Sequence, residues 1–171
     1  MSPPAKGADR VVDVLIEIPR GSRSKYEFDT KSGRLRLHSV LSSSVHYPTD
    51  YGFILDTRGR DGDELDVLLL TEEPAYPGSV QAARPIGVLD MADRKGEDQK
   101  ILAVPAADPR FNQVRQLADL PDHWKLEIKT FFDTYRMLDG KNPEVRGWRG
   151  APTAWRLIES ARRAYRKETP R

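Results

Sequence analysis

The chain contains no cysteine. That excludes a disulfide framework, a thiolate-built zinc site and thiol catalysis, while leaving the redox compartment open. Long apolar runs are missing too. No window approaches the roughly 20 apolar residues of a membrane span, and the N-terminal MSPPAKGADR lacks the apolar core of a signal peptide, so no membrane association and a cytoplasmic setting are expected. An excess of one charge is also absent: 28 Lys and Arg against 26 Asp and Glu give a formal net charge of +2. Such a balance offers no basic field to hold a nucleic-acid backbone, and no nucleic-acid partner is expected. There is no Gly-rich phosphate loop of the form GxxxxGK[ST]. The three histidines, His38, His46 and His123, are scattered, and none assembles with a Ser and an Asp into a nucleophile triad.

What is present describes an ordinary globular chain. Hydrophobic residues make up 38% and charged residues 32% of 171 residues, with 13 Pro to favour turns. This length suits one domain with a real core. We expect a loose polar arm over residues 1–10 and a single domain over 11–171.

Strand signals dominate the first two-thirds. VVDVLIEIP (11–19) is β-branched and bounded by Pro19, Arg20 and Gly21. KYEFD (25–29) alternates, placing Lys25, Glu27 and Asp29 on one face and Tyr26 and Phe28 on the other. RLRLHSVL (34–41), YGFILDT (51–57), LDVLLL (65–70), VQAARPIGVLDM (80–91) and QKILAVP (99–105) complete the set. Two helices follow. One starts after Asp119, Leu120 and Pro121, carries Trp124, Ile128, Phe131, Tyr135 and Leu138 at helical spacing, and stops at Gly140. The second starts near Ala151, Pro152 and Thr153, with Trp155, Ile158, Ala161 and Tyr165 on one face and Arg162, Arg163, Arg166 and Lys167 on a solvated one. Strands first and helices last argue an α+β fold, a sheet or small barrel flanked by helices.

Acidic residues carry the chemistry. In RGRDGDELDVLLL (58–70), Asp61, Asp63, Glu64 and Asp66 precede an apolar strand. Asp61-Gly62 is a common hairpin-turn dipeptide, and a plain polar turn is one reading. An EF-hand is a poor alternative, because its loop needs Gly at the sixth position and helices on both sides. An aspartyl-phosphate enzyme would carry its acids after the strand, not before it. Glu17 interrupts an otherwise apolar strand, and Asp93, Glu97 and Asp98 precede the next apolar run. Carboxylates converging from several strand ends make a site for hard cations such as magnesium, which relieve the mutual repulsion. Lys25 and Lys100 sit close in sequence to Glu27 and Asp98, and Tyr135-Arg136 ends the first helix. Metal, Lys, Arg and Tyr together suit a ligand with many phosphate oxygens.

IEIP (16–19), KYE (25–27), YPTDYGFI (47–54), DGDxxD (61–66), RPIGVLDM (84–91), GEDQK (96–100), AVP (103–105) and FFDTY (131–135) resemble, in the same order, the family I soluble inorganic pyrophosphatases. The resemblance runs from about residue 11 to 155. It implies a small five-stranded OB-type β-barrel with additional strands and two flanking C-terminal helices, magnesium-dependent hydrolysis of pyrophosphate to two phosphates, and a homohexamer. It assigns Asp61, Asp66, Asp93 and Asp98 as metal ligands, with Glu17 and Glu27 in the acidic lining. Asp63 matches the acid that deprotonates the attacking water, a role Asp98 also has among relatives. Lys25, Tyr51, Lys100 and Tyr135 match phosphate-binding positions, Arg136 stands where Lys is common, and Tyr47 lies nearby.

Three departures stand out. Ser39 occupies the position of a phosphate-gripping Arg, and a short hydroxyl does not replace a bidentate guanidinium. Strand parity puts Arg34, Arg36 and His38 on the face opposite Ser39, which leaves a distant residue such as Arg23 to reach in. Arg94 follows the metal-binding Asp93 where many relatives have an acid, which would add positive charge at the rim. The loop LDGKNPEVRGW is short, with Lys141 the nearest substitute for a missing basic residue. The favoured reading is a working enzyme weakened at Ser39. Its alternative is a weak or inactive paralogue that binds phosphate or metal, or serves assembly.

Overall fold

The computed structural model describes residues 10–170. The expected arm therefore lies outside the described residues except at Arg10, whose guanidinium stacks 3.9 Å over the Trp155 ring and pairs with Glu159 at 3.2 Å.

The expected strands form close to their expected bounds: β1 (Val12–Ile18), β2 (Ser24–Asp29), β3 (Arg34–Val40), β4 (Asp50–Ile54), β5 (Asp66–Leu69) and β6 (Val80–Asp93). A two-residue β7 (Gly96–Glu97) and then β8 (Lys100–Pro105) follow. β1 pairs with β4, β4 with β5, β5 with β8, β8 with β6, and β6 returns to β1, so five strands close into a ring. Among the described strands, only β5 and β8 run parallel. β2 and β3 form a separate antiparallel hairpin beside the ring.

Both faces of the ring strands are covered, which explains the uninterrupted apolar run of β5. Val67 and Leu69 pack with Ile101, Ala103, Val14 and Ile16, and with Ala154 and Ile158 of the last helix. Leu68 and Leu70 turn the other way, toward Leu102, Val104, Ile128, Phe131 and Phe132. Fully burying a Leu or Ile side chain contributes about 1.5–3 kcal/mol. The helices on the two sides thus stabilise opposite faces of the same strands.

Those helices are α1 (Asp122–Thr134) and α2 (Ala151–Glu168). α1 ends earlier than its apolar spacing suggests. Arg136 leaves helical geometry at φ −115° and ψ 16°, a short 3-10 turn spans Met137–Asp139, and Leu138 is 70% exposed. Gly140 closes that turn rather than the helix. α2 begins where expected, with Pro152 in its first turn, but buries Ala154 alongside Ile158 and Ala161. A strand without an expected counterpart, β9 (Glu144–Gly150), pairs antiparallel with β6. Among the described residues, no helix is long and apolar enough to cross a membrane.

Two irregularities aim side chains at one end of the ring. The β1–β4 register slips between Ile16 and Ile18, and Glu17 sits at the slip. Opposite it, Gly52 is required by close approach: a Cβ there would lie 1.9 Å from the Leu15 carbonyl oxygen. In the β2–β3 hairpin, Lys25 faces Ser39 while Tyr26 faces Leu37. His38 is therefore the extra residue of a bulge.

Candidate active site

One cavity of about 860 Å³ opens at that end of the ring. The residues matched to the family's site positions reach it: Glu17 from β1, Lys25 and Glu27 from β2, Ser39 from β3 and Tyr51 from β4. Asp61 and Asp63 reach it from the loop before β5, Asp66 from β5, Asp93 from the end of β6, Asp98 and Lys100 from the entry to β8, and Tyr135 and Arg136 from the end of α1.

The floor is built around Lys100. Its Nζ donates to the Tyr51 hydroxyl at 2.8 Å, to Asp66 Oδ2 at 2.8 Å and to Asp98 Oδ1 at 2.9 Å. Burial works against the ammonium charge. Asp66, Tyr51 and Asp98 together outweigh it and hold the Lys100 pKa well above the ordinary lysine value. Tyr51 is pushed up by burial and by Asp66, so its phenol stays protonated. Tyr47 packs beneath, its ring centroid 5.7 Å from that of Tyr51 and 4.8 Å from that of Phe131. Burial raises the pKa of Tyr47 and of Tyr135 as well.

Glu17 is the second buried charge. Its Oε2 accepts the Phe28 N–H at 2.8 Å, which ties β1 to β2. Burial raises its pKa to about 7; that hydrogen bond opposes the shift, and the nearby Asp66, Glu27 and Glu64 add to it.

The rim is exposed. Asp61 Oδ1 accepts the Asp63 N–H at 3.0 Å, Gly59 N–H donates to the Asp63 carbonyl at 2.7 Å, and Gly62 takes a positive φ of +87° to complete the turn. DGD is the hairpin turn that its Asp-Gly dipeptide announces, and that turn presents both carboxylates to the cavity. Asp93 pairs with Gly96, leaving Arg94 and Lys95 as the intervening turn.

Four expectations need correction. His38 does not point away from Ser39. The bulge breaks strand parity, so both residues line the cavity, with His38 Nδ1 3.1 Å from Ser39 Oγ and Nε2 3.8 Å from Glu27. The same hairpin lets Tyr26 and Phe28 join Lys25 and Glu27 in the lining. At the turn after β6 it is Lys95, not Arg94, that lines the cavity. Arg23 donates instead to the Ser43 carbonyl at 3.1 Å, and neither it nor Lys141 is in the lining. The cavity also gains Ser42 and Asp139, joined at 2.5 Å, from two loops whose meeting no local sequence pattern announces.

The donors suit a hard divalent cation: several carboxylates and neither thiolate nor, apart from His38, imidazole face the cavity. Among the described residues no three of them gather tightly enough to clasp an ion. That spacing suits a cation held by one or two carboxylates, with water and ligand oxygens completing its shell.

Carboxylates interleaved with Lys, Arg and Tyr donors in one cavity fit a cation-assisted phosphoryl-transfer enzyme. The family model for inorganic pyrophosphatase matches residues 14–166. The inorganic pyrophosphatase of Methanosarcina acetivorans is 47% identical over 91% of this chain and 93% of its own, and that of Geobacillus stearothermophilus 43% identical over 94% and 97%. The crystal structure of inorganic pyrophosphatase from Thermus thermophilus superposes with a TM-score of 0.89 at 40% identity, covering 96% of this chain and 97% of that one. The chain belongs to the inorganic pyrophosphatase family. Members of that family work with a divalent metal.

Proposed function

We propose that this enzyme hydrolyses pyrophosphate with magnesium as its cation, and that the cavity residues divide the work between metal, proton and phosphate. The reaction comes with the family: water cleaves the phosphoanhydride bond and two phosphates leave. Asp61, Asp66, Asp93 and Asp98 would supply the carboxylates for the cation, one or two to each ion, with Glu17 completing the acidic lining. Magnesium bound there supplies Lewis-acid charge and makes the attacking water more acidic.

Asp63 accepts the proton of that water. It is exposed on a self-closed turn, whereas Asp98 already accepts a hydrogen bond from Lys100. Lys25, Lys100, Tyr51, Tyr135 and Arg136 orient the phosphate oxygens and offset their growing charge. Tyr51 and Tyr135 donate as neutral phenols, which their raised pKa values secure. Glu27, 3.8 Å from Lys25, fixes that lysine on its strand. Ser39 leaves the β3 side of the cavity without a guanidinium, and the enzyme works with a weaker grip there. Residues 11–171 act as one domain, in the cytoplasm, as a homohexamer; these rest on the family resemblance, and light scattering tests the assembly.

The observation that carries the proposal is the convergence of the residues matched to the family's site positions on one cavity around the Lys100 hub. The test is phosphate release from pyrophosphate with and without magnesium, for the natural protein and for Asp63→Asn. Release that needs magnesium and disappears in Asp63→Asn supports the assignment. No release at any magnesium concentration would favour the inactive-paralogue reading.

A further inference from the structure

The loop that presents Asp61 and Asp63 is held by a residue outside the cavity. Arg58 begins it. The Arg58 backbone N–H donates to the Ala161 carbonyl of α2 at 2.9 Å. Its guanidinium then bridges two directions: Nη1 donates to the Gly62 carbonyl at 3.0 Å, and Nε donates to Glu168 Oε2, in the last turn of α2, at 2.9 Å. Glu64 lies 3.9 Å from the same Nη1. The loop's other bonds, Gly59 to Asp63 and Asp63 to Asp61, close it on itself and fix only its internal shape. Arg58 instead ties its apex to a separate element. Gly62 stands directly between the two Asp residues in the chain, so the bond to its carbonyl fixes the peptide that leads into Asp63, one residue on from Asp61.

We propose that Arg58 is a positioning residue: with Glu168 it couples the end of α2 to the Asp61–Gly62–Asp63 turn and sets where those carboxylates stand in the cavity. Arg58 is not among the residues that line the cavity. The inference rests on the reading that Asp61 and Asp63 serve metal and proton, and extends it to groups that reach the site only through others. A planar guanidinium suits this task, because its separate N–H groups meet a carbonyl and a carboxylate at once. Second-sphere partners of this kind typically change metal affinity or activity by 10–100-fold when removed.

The experiment compares Arg58→Ala, Arg58→Lys and Glu168→Gln with the natural full-length protein. It reads magnesium binding to the substrate-free protein by calorimetry, kcat and KM for pyrophosphate, and thermal midpoint in chelator. Arg58→Ala is expected to weaken magnesium binding by about ten-fold and to lower kcat more than it raises KM. Its midpoint in chelator should stay near the natural one, because the side chain is partly exposed and its backbone bond to Ala161 remains. Arg58→Lys, with one ammonium for two acceptors, should recover part of the loss. Glu168→Gln should act in the same direction less strongly, and it carries the test if Arg58→Ala fails to fold. Natural magnesium affinity and natural kcat in both Arg58→Ala and Glu168→Gln would overturn the proposal, as would losses that merely track the thermal midpoint. Asp61→Asn and Asp63→Asn run in parallel separate the two levels. If they impair binding and turnover while the Arg58 and Glu168 variants do not, the coupling alone is wrong; if they too are silent, the reading of the loop falls, and the coupling with it.

Discussion

The floor and the rim of the cavity use the same side-chain chemistry in opposite surroundings. On the floor, Lys100, 4% exposed, bonds to Tyr51, Asp66 and Asp98; Lys100, Tyr51 and Asp66 sit on ring strands whose faces are packed by both helices, and Asp98 on the turn that enters β8. On the rim, Asp61 and Asp63 stand on a solvated turn. The floor is assembled by folding itself, since an unpartnered buried ammonium is too costly to leave. The rim contributes little to folding and is free to change partners during a reaction. The floor charges are thus paired with one another, whereas the two rim carboxylates stand in solvent on a turn closed on itself.

Substitutions can break this contrast at either end. The largest expected effect is on the rim: Asp63→Asn should lower kcat by about 10²–10⁴-fold while leaving the melting temperature in chelator nearly unchanged. On the floor, Lys100→Met should do both kinds of damage. Removing the ammonium strands Asp66 and Asp98 beside each other, and thermal unfolding should register a loss of about 3–4 kcal/mol along with most of the activity. Magnesium should return part of that stability by neutralising the same pair.

Glu17 sharpens the comparison because it is a floor acid without an ammonium of its own. Its native pKa of about 7 exceeds the ordinary 4.5, so the folded protein binds more protons than the unfolded chain between those values. Its contribution to stability is therefore fully present below pH 4.5, falls as pH rises toward 7, and stays lost above. Glu17→Gln should consequently match the natural protein at pH 4 and melt higher at pH 8 in chelator, by no more than about 3 kcal/mol. Adding magnesium should narrow that gap. A smaller effect is expected at the β3 wall, where Ser39→Arg should lower KM for pyrophosphate by about ten-fold, the worth of one charge-assisted pair. Smallest of all, Lys129→Ala, which removes a solvated i,i+4 partner of Asp133, should change stability by no more than about 0.5 kcal/mol and leave kcat alone.

The strands were legible because they obey local rules. β-branched residues and turn punctuation mark β1, and the unbroken Val67–Leu70 run announces a strand covered on both faces. The acids are legible as a group because carboxylate clusters recur before several apolar strands, although spacing alone fits a polar turn equally well and their roles come only from the resemblance. What failed were inferences that counted residues across an irregularity. His38 was placed on the wrong face because parity assumes a regular ladder, and one bulge reverses it. Arg94 and Lys95 exchanged places because the chain reverses immediately after Asp93. β9 was hidden since GKNPEVRGWRG, rich in Gly, Pro and charge, becomes a strand only by pairing with β6. Arg58 gave no sign at all: its partners Gly62 and Glu168 are brought to it from the loop apex and from the far end of the chain.

The most direct test of the contrast between floor and rim is to measure kcat and the melting temperature in chelator on one preparation of Asp63→Asn. The account requires kcat to fall at least about 100-fold with the melting temperature unmoved. An intact kcat, or a fall in kcat matched by a fall in melting temperature, would contradict it.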